Sequence, residues 1–226
     1  MLWADGVRHR FGAVPALDDV TFTLPAGHTL ALFGPNGAGK TTLLKILAGL
    51  IKPSAGRAGV EGGRAGVGWI GHQSLLYGQL TVRENLRFWG SLYRVRGSVL
   101  ETRIDALAAR LDLGEQVDRR VATLSRGQTQ RAAIARALVH EPTILLLDEP
   151  FTGLDRVAAS ELAHLVKAFA RAGEGRATLL VTHNVEEGTD LATDIAIIKA
   201  GRLVEFAPRN ARTAEQVGAR YRELVS

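Results

Sequence analysis

Residues 34–41 read Gly34-Pro35-Asn36-Gly37-Ala38-Gly39-Lys40-Thr41, a full GxxxxGK[ST] octapeptide, and no other feature of the chain constrains its folding as strongly. The run Thr29 to Phe33 before it is short and apolar, which predicts a buried strand. From Lys40 to Leu50 the apolar residues Leu43, Leu44, Ile46, Leu47 and Leu50 recur at helical spacing, with Gly49 and Pro53 as stop signals. Strand, glycine loop and helix in this order form a phosphate-binding unit. The glycines let the backbone turn tightly and aim N–H groups at phosphate oxygens, and the helix N-terminus adds favourable partial charge. Pro35 has no N–H and must stand where none is needed. Lys40 is expected to reach the β and γ phosphates, and the Thr41 hydroxyl to ligate Mg²⁺.

Around this unit, strands and helices alternate. Strand-like segments lie at Leu2 to Val7 and Val20 to Leu24, and further strands are expected over 143–147 and 177–181. A hairpin about Ala200-Gly201 joins 195–198 to 203–206. Helices are expected over 40–50, 130–139 and 157–171, and the glycines between 56 and 68 suit turns between short strands. From Leu80 to about Leu124 the pattern is helical, with Glu84, Leu86, Phe88, Leu92, Leu100, Ile104, Leu107 and Leu111 as the expected buried stripe. The tail 207–226 reads as a short amphipathic helix that packs on the body of the protein. Such alternation predicts an α/β fold with a mostly parallel sheet. One domain spanning 1–226 is expected, with a helical subdomain at about 74–124.

Composition narrows the chemistry. The 226 residues include no cysteine, which removes thiol catalysis, disulfides and Cys-ligated metal sites. A net charge of +5 is compatible with nucleic acid, phosphate ligands or an anionic membrane face and selects none of them. No apolar run approaches the ~18–20 residues of a membrane span, so a soluble or peripheral protein is expected.

A second chemical signal is Ile144-Leu145-Leu146-Leu147-Asp148-Glu149. Its apolar strand delivers two carboxylates to the sheet edge where α/β proteins bind ligands. Asp148 suits the Mg²⁺ shell, and Glu149 suits a group that orients and polarises water. Taken alone, Asp-Glu after an apolar strand is equally a solvated strand end.

Together with Leu124-Ser125-Arg126-Gly127-Gln128, which stands with its serine 23 residues ahead of Asp148, these motifs resemble the ATPase subunits of ATP-binding cassette (ABC) transporters. The resemblance runs from about Leu2 to Glu205. It implies a phosphate-loop NTPase core of RecA type with a mostly parallel sheet, an antiparallel β subdomain and an inserted helical subdomain. It implies ATP and Mg²⁺ as cofactors, with residues 34–41 and Thr42 in the binding set. Phe11 sits where the family stacks an aromatic ring on adenine, although a core aromatic in an edge strand reads the same way. Gln73 matches the glutamine that links Mg²⁺ and water to the transporter contact. Asp155 matches an aspartate near the dimer seam, and a helix N-cap would suit it equally. His183 matches the histidine that touches the γ-phosphate.

The family further implies two cassettes paired head to tail, each ATP lying between one chain's phosphate loop and the other's Ser125, Gly127 and Gln128. An integral membrane subunit is the implied partner, and the cytoplasmic face of the cell membrane the implied location. Residues 71–73 and 80–88 lie where the family receives that subunit. Arg126 replaces the usual first glycine of the signature pair and is expected to face outward. Gly71-His72-Gln73, Leu-Thr-x-x-Glu-Asn-Leu at 80–86 and Asp-Glu-Pro-Phe-Thr at 148–152 resemble the haem-exporter ATPase of cytochrome c biogenesis. His72 is not expected to ligate haem, because cargo crosses in the membrane subunit. The competing reading is a soluble ABC ATPase acting on nucleic acid or ribosomes, motivated by the basic charge. Such proteins usually carry two cassettes or long inserted arms, and this sequence has neither, so no nucleic-acid partner is expected.

Overall fold

The computed structural model describes residues 1–71, 73–171 and 175–225, without the side chain of Arg171. Two sheets organise it. Strands β1 (Leu2–Phe11), β2 (Val14–Leu24) and β4 (Ala55–Val60) form an antiparallel sheet in the order β2-β1-β4. The second sheet holds six strands in the order β5-β6-β7-β3-β8-β9, with β3 at Thr29–Phe33, β5 at Val67–Ile70, β6 at Ile144–Asp148, β7 at Ala177–Val181, β8 at Asp194–Lys199 and β9 at Arg202–Pro208. Pairing is parallel from β5 to β8, and β9 returns antiparallel. Every residue of β3, β6 and β7 is buried, which is why these strands read as largely apolar runs.

Side chains alternate between the two faces of this sheet. Leu145, Leu147 and Leu180 join a core with the inserted helices, while Ile144, Leu146, Leu179 and Val181 join one with β1, β2 and α1 (Lys40–Leu47). A third cluster sets Ala31, Phe33, Ile195 and Ile197 against the C-terminal helix, α7 (Ala214–Val225), through Val217. The tail is therefore a packing helix, with Tyr221 and Leu224 half-buried beside Val217.

Between β5 and β6 the chain forms α2 (Val82–Leu92), α3 (Gly97–Arg110) and α4 (Arg126–Leu138). After β6 come α5 (Arg156–Arg171) and, beyond β7, α6 (Val185–Leu191). The expected stripe needs correction in α2. Leu86, Leu100, Ile104 and Leu111 are buried and Leu107 half-buried, but Glu84, Phe88 and Leu92 are exposed. The buried face of α2 is Val82, Asn85, Leu86 and Gly90, at spacings of three and four. A series stepping by two, as 84, 86 and 88 do, passes around the helix instead of along one side. Leu50 is likewise exposed, because α1 ends before Gly49, whose φ of 66° turns the chain away.

Candidate active site

The register of the parallel sheet brings the chemistry to one edge. Leu32 pairs with Val181 and Asp148 pairs with Val181 on its other side, so β3, β6 and β7 end together. The loop Gly34 to Gly39 leaves β3 there, Asp148 and Glu149 leave β6, and Thr182-His183 leave β7.

Local geometry explains the loop's residues. Gly39 has φ of 104°, and a Cβ there would stand 2.4 Å from the Ala16 carbonyl oxygen, so both backbone and space demand glycine. Gly37 has φ of 79° with open space around it, so only its backbone conformation is constrained. The Pro35 carbonyl accepts from the Ala38 N–H at 3.2 Å. Gly39 caps α1 without any side-chain hydrogen bond, which leaves first-turn N–H groups free of intrahelical partners. Lys40 Nζ donates to the carbonyls of Gly34 at 2.6 Å and Pro35 at 3.0 Å, folding back over the loop. Burial lowers the Lys40 pKa, and the carboxylates of Glu149 and Asp148 oppose that shift.

These residues line a cleft of about 420 Å³. Its walls include Asn36, Gly37, Ala38, Gly39, Lys40, Thr41, Thr42, Asp148 and Glu149, with Phe11 and the start of β2 on the far side. Phe11 is 57% exposed, so it is not a core aromatic. Its ring meets His9 edge to face at 4.7 Å and leaves an apolar surface toward the cleft.

Thr41 Oγ1 donates to Asp148 at 3.1 Å, and Asp148 is buried. A hydroxyl beside a carboxylate is a hard oxygen pair, the donor type that Mg²⁺ prefers. Among the described residues no group of three or more His, Cys, Asp or Glu could hold a metal ion. A Mg²⁺ bound at this pair would thus take most ligands from phosphates and water, its usual habit at nucleotide sites.

Glu149 occupies the left-handed region, with φ of 51°. That conformation costs a non-glycine residue free energy and recurs at functional sites. Its N–H donates to the Val181 carbonyl at 2.9 Å, and its carboxylate accepts from His183 Nδ1 at 2.8 Å and from the His183 N–H at 3.3 Å. His183 is held in turn by the residues on either side. Asn184 N-caps α6 by accepting from the N–H groups of Glu186 and Glu187, and its own N–H donates to Thr182 Oγ1 at 3.1 Å. Sequence reading passed over Thr182 and Asn184, although Asn ahead of Glu-Glu is a helix-start signal. Glu187 lies nearby, and its pKa is raised, chiefly by burial.

Other expected site residues stand apart. Ser125 N-caps α4 in a capping box, accepting from the Gln128 N–H at 3.2 Å while Gln128 Oε1 accepts from the Ser125 N–H at 2.9 Å. Neither Ser125, Gly127 nor Gln128 lines the phosphate-loop cleft. Asp155 Oδ1 accepts from the N–H groups of Val157 and Ala158, both at 2.9 Å, and so opens α5 as an N-cap. Gln73 is exposed after β5 and does not line the cleft, and His72 lies outside the described residues. Arg126 is exposed, as expected for an outward residue, yet it lies against Gly153: a Cβ on Gly153 would stand 2.0 Å from Arg126 Nη2.

The protein family described as ABC transporter matches residues 17–152. The chain is 36% identical over 224 residues to the Nod factor export ATP-binding protein I of Rhizobium johnstonii, covering 94% of this chain and 71% of that protein. It is 40% identical over 190 residues to the cytochrome c biogenesis ATP-binding export protein CcmA of Ruegeria pomeroyi, covering 84% and 86%. A dimeric ATP-binding cassette solved in a post-hydrolysis state with ADP and Pi superposes with a TM-score of 0.82 at 26% identity, covering 94% of this chain and all of that one.

Proposed function

Because the chain belongs to the ABC transporter ATP-binding subunits, we propose that it hydrolyses ATP as a paired cassette and so drives export through a separate membrane subunit. One observation carries the pairing. The phosphate loop has its cleft, but the signature residues Ser125, Gly127 and Gln128 face elsewhere, so the phosphates bound by one copy are left open for the signature of a second. The solved relative with ADP and Pi is itself dimeric.

In this reading Phe11 stacks on adenine, while the uncapped start of α1, residues 34–39 and Lys40 hold the phosphates. Lys40 turns from the Gly34 and Pro35 carbonyls to the phosphates, a small movement for a side chain whose charge is already partly desolvated. Thr41 and Asp148 would hold Mg²⁺ with help from Gln73, and the ion would neutralise charge on the phosphates. Glu149 orients the attacking water and accepts its proton as the bond from the γ-phosphorus to the ADP oxygen breaks. His183, hydrogen-bonded through Nδ1 to Glu149, fixes that carboxylate and presents Nε2 toward the γ-phosphate. Ser125 and the N–H groups of Gly127 and Gln128 complete the partner's pocket, with Asp155 near the seam.

The chain acts as one cassette whose segment 74–124 meets the membrane subunit at the cytoplasmic face of the cell membrane. Among the described residues no helix is long and apolar enough to cross a membrane, which suits a separate permease. Similarity to CcmA of Ruegeria pomeroyi supports haem export for cytochrome c biogenesis as the specific cargo, and similarity to a Nod factor exporter supports export in general. Steady-state phosphate release tests the reading: Glu149→Gln should lower it at least ~100-fold, the range for losing a general base. A Glu149→Gln protein with undiminished turnover would contradict it.

A further inference from the structure

Arg126 is the first residue of α4, and its guanidinium is seated on another part of the chain. A Cβ built on Gly153 would lie 2.0 Å from Arg126 Nη2, 2.4 Å from Cζ and 2.8 Å from Nη1. Approach to all three atoms at once means that the flat face of the guanidinium, and not one edge, covers the glycine. Gly153 has φ of 75°, so its backbone and the arginine lying on it both require a residue without a side chain. A guanidinium is planar and weakly hydrated and packs in this way, whereas the ammonium of lysine is a compact, strongly hydrated point charge.

A hydrogen bond joins the same two segments one helical turn further on. Gln130 Nε2 donates to the Pro150 carbonyl at 3.3 Å. Residues 126 and 130 are neighbours on one face of α4, so that face meets the loop leaving β6 at two points. The loop is tied back to Glu149 by short bonds: the Thr152 N–H donates to the Glu149 carbonyl at 3.2 Å, and the Leu154 N–H to the Phe151 carbonyl at 3.1 Å. At the other end of the run, the Ser125–Gln128 capping box fixes the first turn of α4. Contacts are therefore continuous from Ser125 and Gln128, through Arg126 and Gly153, to the left-handed Glu149 of the same chain.

We propose that Arg126 is a positioning residue, clasping Gly153 so that the signature of one chain and the loop that follows its own Glu149 move as a single body. The two ends of that body serve different sites. The signature completes the ATP site of a second copy, while Glu149 works in its own. Filling one site thereby sets the loop at the other, and the clasp raises turnover without touching nucleotide. The usual glycine at this position has no side chain with which to make the contact. The proposal rests on the reading that two copies pair around ATP.

Three variants of the full chain separate the clasp from a role of the charge. Arg126→Ala removes the guanidinium and leaves a strong helix former in the first turn. Arg126→Lys keeps charge and length without a planar head, and Gly153→Ala puts a methyl group where the guanidinium lies. In the free chain, hydrogen exchange at the Thr152 and Leu154 amides should quicken roughly tenfold in both Arg126 variants, as local opening becomes easier. In phosphate release, each of the three should lower kcat about tenfold with KM for ATP unchanged, the pattern of an interaction that does not serve nucleotide binding. Arg126→Ala combined with Gly153→Ala should lose no more than the worse single change, because both remove one contact. Unchanged exchange, unchanged kcat in Arg126→Ala, a raised KM, or additive losses would each overturn the proposal. So would wild-type turnover in Arg126→Lys, which would assign Arg126 a charge role at the partner's phosphates. Should Gly153→Ala not fold, the two Arg126 variants decide. A wild-type chain that releases no phosphate would remove the ATPase reading, while exchange in the free chain judges the clasp by itself.

Discussion

Glu149 shows how much of this site is decided residue by residue. Its left-handed backbone, its N–H bond to Val181 and its carboxylate contact with His183 fix beside the phosphate loop the group that we propose polarises water. Phe11 is decided by the same kind of detail. An aromatic in a strand reads equally as core or as ligand platform, and only its 57% exposure at the lip of the cleft separates the two. Phe11→Ala should therefore weaken ATP binding about tenfold, within the ~1–3 kcal/mol of aromatic stacking on a base, while Phe11→Tyr retains affinity. Titration calorimetry with ATP checks this, and unchanged affinity in Phe11→Ala would return the ring to a structural role. The phosphate loop, Asp148 and Glu149 were legible in the sequence because each motif fixes backbone geometry locally. Thr182 and Asn184 were not, since their work is to hold His183 through short bonds whose partners only folding defines.

At the scale of elements, α2 is the most instructive. Its N-terminus was written in the sequence, for Thr81 and Glu84 form a reciprocal capping box. Its buried face was misread, because the eye follows Leu86, Phe88 and Leu92 while the helix buries Asn85. That asparagine accepts from the Tyr77 N–H at 2.8 Å and donates to the carbonyls of Tyr77 and Thr81 at 3.0 and 2.9 Å. A polar residue at a core position thus ties the loop before α2 to the helix, a tertiary demand that hydrophobic periodicity cannot reveal. Asn85→Leu should leave those groups unmet and cost about 1–3 kcal/mol, read as a lowered urea midpoint with an unchanged slope. An unaltered midpoint would show that water or a local shift replaces the bonds. The strands were easier to find than α2's face. Complete burial makes β3, β6 and β7 mostly apolar, with Thr29, Asp148 and Thr178 the polar residues among them, whereas α6 escaped notice because it is only seven residues long with a polar start.

For the whole molecule, stability and pairing are the quantities at stake. His140 stacks on Tyr93 at 3.7 Å and donates from Nε2 to the Val67 carbonyl at 3.0 Å, joining the inserted helices to the central sheet. Burial lowers its pKa to about 4 from an ordinary value of 6.5, so the unfolded chain binds the proton more readily. Its contribution is then fully present above pH ~6.5 and is lost as pH falls toward about 4. Thermal midpoints should fall over that window by an amount worth roughly 1–3 kcal/mol, and His140→Gln should flatten the dependence. A wild-type midpoint that is level across it would refute the buried neutral histidine. The account's central claim is that one copy holds half of each ATP site. Light scattering on Glu149→Gln with saturating ATP and Mg²⁺ tests it most directly. The account predicts that the mass doubles with ATP and stays that of a single chain with ADP; a single chain at saturating ATP would contradict it.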